Sequence, residues 1–103
     1  MYKLCVYVPE DHRESLKAAL FAAGAGRIGH YSECCWETLG TGQFRPGENS
    51  DPFLGDSGKL TRVPEYRIEM VCAEESVAAV VAALRASHPY EEPAFDLLKV
   101  ETA

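Results

Sequence analysis

Apolar and polar positions alternate with period two from Tyr2 to Val8. Leu4, Val6 and Val8 share one face and Cys5 and Tyr7 the other, which predicts a half-buried strand that Pro9 ends. The period then lengthens. Leu16, Ala19, Leu20 and Ala23 recur at helical spacing and predict a helix. Asp11 and Glu14 have capping-box spacing, so Asp11 is the expected N-cap. Gly24 stands where a left-handed C-cap belongs. Residues 28–39 read as a second strand ending near Gly40. Residues 40–64 carry five of the eight glycines and three of the six prolines, which predicts a hairpin-like excursion with a short strand near Phe44. Tyr66, Ile68, Met70 and Cys72 alternate with Arg67 and Glu69, a strand over 65–72. Val77, Val80, Val81 and Leu84 form the apolar stripe of a second helix over 74–87. Glu74 and Glu75 suit its positive end, and His88-Pro89 stops it. A last strand runs from about Ala94 to Val100.

The two halves echo one another. A shift of 64 positions lays Val6 on Met70, Val8 on Cys72, Leu16 on Val80, Ala19 on Ala83 and Leu20 on Leu84. Two βαβ-like halves make a split βαβ unit, so the expected fold is α+β: a ferredoxin-like βαββαβ sandwich with two helices on one face of an antiparallel sheet. The opposite face then holds Cys5, Tyr7 and part of the second strand, with Trp36 among its candidates. Such a face looks too apolar for open water. Either a second subunit or the 40–64 excursion covers it.

Length and composition narrow the classes. The 103 residues fit one domain over 1–103 with a shallow core. The net charge of −6, with ten scattered lysines and arginines, argues against nucleic acid, whose phosphates need a clustered basic face. No apolar run has membrane-spanning length, and Met1 to Val6 reads as a strand rather than an export signal. A cytoplasmic location is expected, with Cys5, Cys34, Cys35 and Cys72 reduced. No C-x-x-C pair is present to suggest a zinc ribbon.

Candidate chemistry gathers in three places. His88-Pro89-Tyr90-Glu91-Glu92-Pro93 sets a histidine and two carboxylates within five residues, the makings of a divalent metal site or an acid–base pair. Its plainer reading is a rigid helix-to-strand turn with Tyr90 packed and the glutamates solvated. His30, Tyr31, Cys34 and Cys35 are the second group, suited to copper or zinc, or to filling the core. A catalytic cysteine would need a base beside it. The third is Gly40-Thr41-Gly42-Gln43-Phe44-Arg45-Pro46-Gly47, whose backbone amides and Arg45 could take an anion. Gly24-Ala25-Gly26 follows a helix and precedes a strand, the reverse of a phosphate loop.

Val8-Pro9-Glu10-Asp11-His12, Ala23 to Ser32, Gly40 to Pro46 and His88 to Asp96 together resemble the domain inserted in bacterial NIF-three-like (NGG-one-interacting factor three-like) proteins, some of which are named type 2 GTP cyclohydrolase I. That domain is similar in fold to CutA and the PII signalling proteins, which form trimers. The His88-Pro89-Tyr90-Glu91 turn also resembles one in CutA. The resemblance implies a homo-oligomer, with a trimer as the expected number. It also implies a small-molecule or divalent-metal ligand, copper or zinc. The implied metal residues are His88, Glu91 and Glu92, with His30 and Cys34 joining them from the residue chemistry. The implied ligand residues are Gly40, Gly42, Arg45 and Tyr90. The dinuclear metal site of full-length family members lies in flanking segments outside this sequence, so the cyclohydrolase name is not carried over. The expected function is a non-catalytic regulatory or metal-tolerance module. The alternatives are a purely structural interaction domain and an enzyme using Cys34, Cys35, Glu91 or Glu92.

Overall fold

The computed structural model describes residues 1–101. Strand β1 (Tyr2–Pro9) is followed by a 3-10 turn (Glu10–His12) and helix α1 (Arg13–Ala22). Strands β2 (Trp36–Phe44) and β3 (Thr61–Cys72) form a long hairpin. A second 3-10 turn (Glu74–Ser76), helix α2 (Val77–Ser87) and strand β4 (Phe95–Lys99) complete the chain. The sheet order is β2-β3-β1-β4, with every neighbouring pair antiparallel. This is the expected ferredoxin-like α+β sandwich.

The period-two alternation of β1 decides which face is dry. Leu4, Val6 and Val8 are fully buried and pack with Ile68, Met70 and Cys72 of β3 beneath Leu16 and Leu20 of α1 and Val80 and Leu84 of α2. Both helices therefore cover one sheet face. The 64-residue echo holds in space, because Val6 and Met70, Leu16 and Val80, and Leu20 and Leu84 are all core residues. Each fully buried side chain of this size contributes roughly 1.5–3 kcal/mol.

The second strand begins later than its apolar pattern predicts. Residues 28–35 turn back on themselves through an Ile28–Tyr31 bridge, with Gly26, Gly29 and Glu33 at positive φ. Strand geometry starts only at Trp36 and then runs through Gly40 and Gly42 to Phe44. Those glycines are thus paired strand residues, opposite Glu65 and Val63. β3 likewise begins at Thr61 and passes through Pro64. Pro64 faces Thr41 on one side, and β1 ends one residue short of it at the Pro9–Glu65 pair. A missing N–H is tolerated where one edge of a strand is free.

The capping expectation at Asp11 also changes. Helix α1 takes His12 as its N-cap, with no side-chain cap bond, and the preceding 3-10 turn supplies the Arg13 N–H with the Glu10 carbonyl. The C-terminus is as expected. Ala25 N–H donates to Leu20 O and Gly24 N–H to Phe21 O, both at 3.1 Å, the paired bonds of a Schellman motif. Gly24 has φ +114°, and Ala25 is buried against the core.

The uncovered sheet face is more polar than its sequence suggests. Register sets Cys5 and Tyr7 beside Glu69 and Arg67, with Trp36, Thr38 and Asp96 on the same side. The Arg67 Nε–H donates to Cys5 Sγ at 3.2 Å. The 45–60 loop does not close over this face. Its Phe53 packs edge-on against His12, with centroids 5.3 Å apart, and lies beside Tyr90. The pairs from Thr41–Pro64 to Phe44–Thr61 extend past the end of β1 as a two-stranded ribbon. The molecule measures 46 × 24 × 24 Å, with a radius of gyration of 14.4 Å; a compact chain of this length would have about 13 Å.

Candidate functional site

Pro89 cannot continue α2, so the chain leaves the helix extended at His88 (φ −75°, ψ 136°). That exit folds the His88 ring inward, where it is 7% exposed. Its Nδ1 accepts the Tyr90 N–H at 3.1 Å. The ring proton is accordingly assigned to Nε2, which donates to the Tyr7 carbonyl at 2.7 Å. Burial pushes the His88 pKa below its ordinary value, against the opposing pull of the Tyr7 carbonyl and Glu65. The ring is a peg that joins the turn to β1.

Tyr90 is held from its other end. Its hydroxyl donates to Glu65 Oε2 at 2.7 Å. Burial, and then the Glu65 carboxylate, raise its pKa well above the tyrosine range. The Glu65 carboxylate lies where a Cβ on Gly42 would stand. Gly42 therefore makes room for the Tyr90–Glu65 pair.

Two grooves meet at this pair. One, of about 460 Å³, lies on the uncovered sheet face between Tyr7, Gly40, Gly42, Arg67 and Tyr90. The other, of about 330 Å³, lies under the 45–60 loop and is lined by Phe44, Arg45, Phe53, Tyr90, Glu91 and Glu92. Glu65 and Tyr90 border both. The loop is tied to the turn by the Asp51 N–H, which donates to Glu91 Oε2 at 2.8 Å.

The expected ligand residues thus gather around Tyr90, in a different form from the one their sequence suggests. Gly40 and Gly42 are strand residues rather than a flexible amide loop. Arg45 lies beyond the end of β2 and spends one Nη donor on the Gly58 carbonyl at 3.0 Å. The expected metal residues do not converge. Both ring nitrogens of His88 already have backbone partners. Cys34 bonds through its N–H to Gly26 O, and Gly26 in turn to Val71 O, at the Tyr2 end of β1. His88 sits at the Tyr7 end, five residues or about 16 Å away along the strand. His30 is exposed on the 28–31 turn. Among the described residues, no three His, Cys, Asp or Glu side chains are grouped to hold a metal ion. In this arrangement His88 joins the turn to β1 through backbone partners at both ring nitrogens.

The cysteines differ among themselves. Burial raises the Cys35 pKa, with Lys17 opposing and Glu37 adding to the rise, and burial also raises Cys72. Neither shift favours a thiolate. Sequence reasoning missed Glu65 and Phe53. The alternation that marks Arg67 and Glu69 extends back to Glu65 and could have found it. Phe53 lies in a segment with no period, and nothing in its pattern points to Tyr90.

No family model matches the chain. The GTP cyclohydrolase 1 type 2 homolog of Mycobacterium leprae is 50% identical over 95 residues, covering 92% of this chain and 25% of that protein. Among solved structures, a Bacillus cereus protein related to NIF3 aligns with a TM-score of 0.85 at 40% identity, over 98% of this chain and 26% of the other. The PII-like protein CutA from Nostoc sp. PCC 7120 aligns with a TM-score of 0.70 at 14% identity, over 98% and 82% of the two chains, a likeness of fold alone. The chain spans about a quarter of the length of the curated relative and of the NIF3-related structure. It is a homologue of the NIF3-related proteins over that quarter, and it has the CutA/PII-like fold.

Proposed function

We propose that this chain is a non-catalytic CutA/PII-like module that assembles with copies of itself, as a trimer, and holds a small regulatory ligand beside Tyr90. The observation that carries the reading is the uncovered sheet with its projecting ribbon. Trp36 is 69% exposed on that face, at the edge strand. Leu98, on the same face at the opposite edge, is 55% exposed. A two-stranded ribbon is marginal in water by itself, and an open edge invites pairing. Burial against further copies answers both needs. The burial that raises the Cys35 pKa disfavours that thiol as a nucleophile. The four free cysteines accord with a reducing cytoplasm.

Native mass spectrometry of the chain at micromolar concentration tests the reading, with and without copper or zinc. A trimer is expected, and Trp36→Glu should shift it toward monomer. A wild-type monomer overturns the assembly reading. Stoichiometric uptake of metal that survives His88→Ala would move the ligand away from the 88–92 turn. A ligand beside Tyr90 should raise the thermal midpoint of the wild type and leave that of Tyr90→Ala unchanged.

A further inference from the structure

The groove beneath the 45–60 loop has a composition that selects its ligand. Three aromatic rings line it, and they are tilted rather than stacked. Phe44 and Tyr90 have centroids 6.1 Å apart at 53°, and Phe53 and Tyr90 are 6.4 Å apart at 48°. A ring face is the negative end of its quadrupole, and a cation within about 6 Å of the centroid is attracted to it. Spacings this short let one cation approach several rings together. Three carboxylates, Glu65, Glu91 and Glu92, border the same space against one guanidinium, Arg45. Arg45 already gives a donor to Gly58. Glu65 and Glu91 each use one oxygen, on the Tyr90 hydroxyl and the Asp51 amide, which fixes both carboxylates at the border. The volume of about 330 Å³ is at the small end for an organic ligand.

We infer that this groove binds a small organic cation, an alkylated or primary ammonium with an apolar body, held by the faces of Phe44, Phe53 and Tyr90 and the charge of Glu65, Glu91 and Glu92. The inference deepens the ligand-binding reading above and rests on it. An anion is disfavoured by the three-to-one excess of carboxylates. An uncharged apolar ligand would leave that charge unused.

Choline is a suitable probe, and dimethylbutanol, its tert-butyl analogue, is an uncharged isostere. Each is titrated into the whole chain while backbone amide resonances are followed. Choline should perturb Phe44, Phe53, Tyr90 and Glu91 together, with affinity that falls as salt is added. Dimethylbutanol should bind roughly tenfold more weakly. Glu91→Gln keeps an acceptor for the Asp51 amide but loses the charge, so it should weaken choline several-fold and leave dimethylbutanol unchanged. Phe53→Leu keeps apolar volume and should weaken choline selectively. Equal binding of the two probes overturns the inference. So does perturbation of the same residues by inorganic phosphate, or silence toward choline at millimolar concentration. Native mass measured on the same samples separates the two proposals, since a trimer without choline binding defeats only this one.

Discussion

The two helices leave their βαβ halves in opposite ways. Helix α1 ends in a closed backbone motif, with Gly24 in a conformation suited to glycine and the turn satisfied by main-chain bonds. Helix α2 ends at an X-Pro step that admits no such closure, and a side chain completes the turn instead. The His88 ring accepts from Tyr90 N–H and reaches the Tyr7 carbonyl. The first exit buries itself in the core. The second leaves Tyr90 at the rims of both grooves, and Glu91 and Glu92 at the rim of the one under the 45–60 loop. Equivalent positions of a pseudo-repeat thus share their core residues and diverge where the helix stops. A turn closed by its own backbone has no polar groups left over, whereas a turn closed by a side chain presents the next residues to solvent.

The sharpest way to break this comparison is to remove the peg. His88→Ala should cost about 3 kcal/mol in denaturant unfolding, because it opens a void and leaves a buried carbonyl and amide unpaired. A loss under about 1 kcal/mol would mean that the turn holds itself. Gly24→Ala should cost less, about 2 kcal/mol. A Cβ at φ +114° is strained and would approach Ser76 Oγ at 2.9 Å. The two single changes should add in the double mutant if the exits are independent.

Acid should weaken one exit alone. The folded pKa of His88 lies below the ordinary value of 6.5, so the unfolded chain binds the proton more readily. Its contribution is present above about 6.5 and declines as pH falls from there toward the folded value. Unfolding followed by circular dichroism between neutral and mildly acidic pH should show this slope in the wild type and lose it in His88→Ala. The Gly24→Ala protein should keep it.

Smaller effects refine the picture. Tyr90→Phe removes one charge-assisted bond to Glu65 and should cost about 1 kcal/mol. No change in its stability would mean that Glu65 finds water equally well. Glu37→Gln weakens the contacts of Arg13 and Lys17 at 2.9 and 2.7 Å that tie α1 to β2. Those groups are partly exposed and screened, so about 0.5 kcal/mol is expected. The lowered pKa of Glu37, caused first by its bond to Lys17 and opposed by burial, gives the sign. Its contribution is present above the usual carboxylate range and is lost as pH falls through the folded value.

The sequence by itself determined the order of elements, the dry faces of β1 and β3, both apolar helix stripes and the two helix stops. These follow from local periodicity and from the backbone limits of glycine and proline, which act over a few residues. Only the tertiary structure decided the rest. Whether Gly40 and Gly42 are loop or strand depended on having β3 opposite them, and Glu65 fills the space that the missing side chain of Gly42 leaves. His88 reads as a free ligand until Tyr7, 81 positions earlier in the chain, supplies its carbonyl partner. The 88–93 turn gives no sign of its aromatic neighbours until Tyr90 is seen beside Phe44 and Phe53. Pairings of that range carry no periodic signal, because each partner satisfies its own local pattern whether or not the other is near.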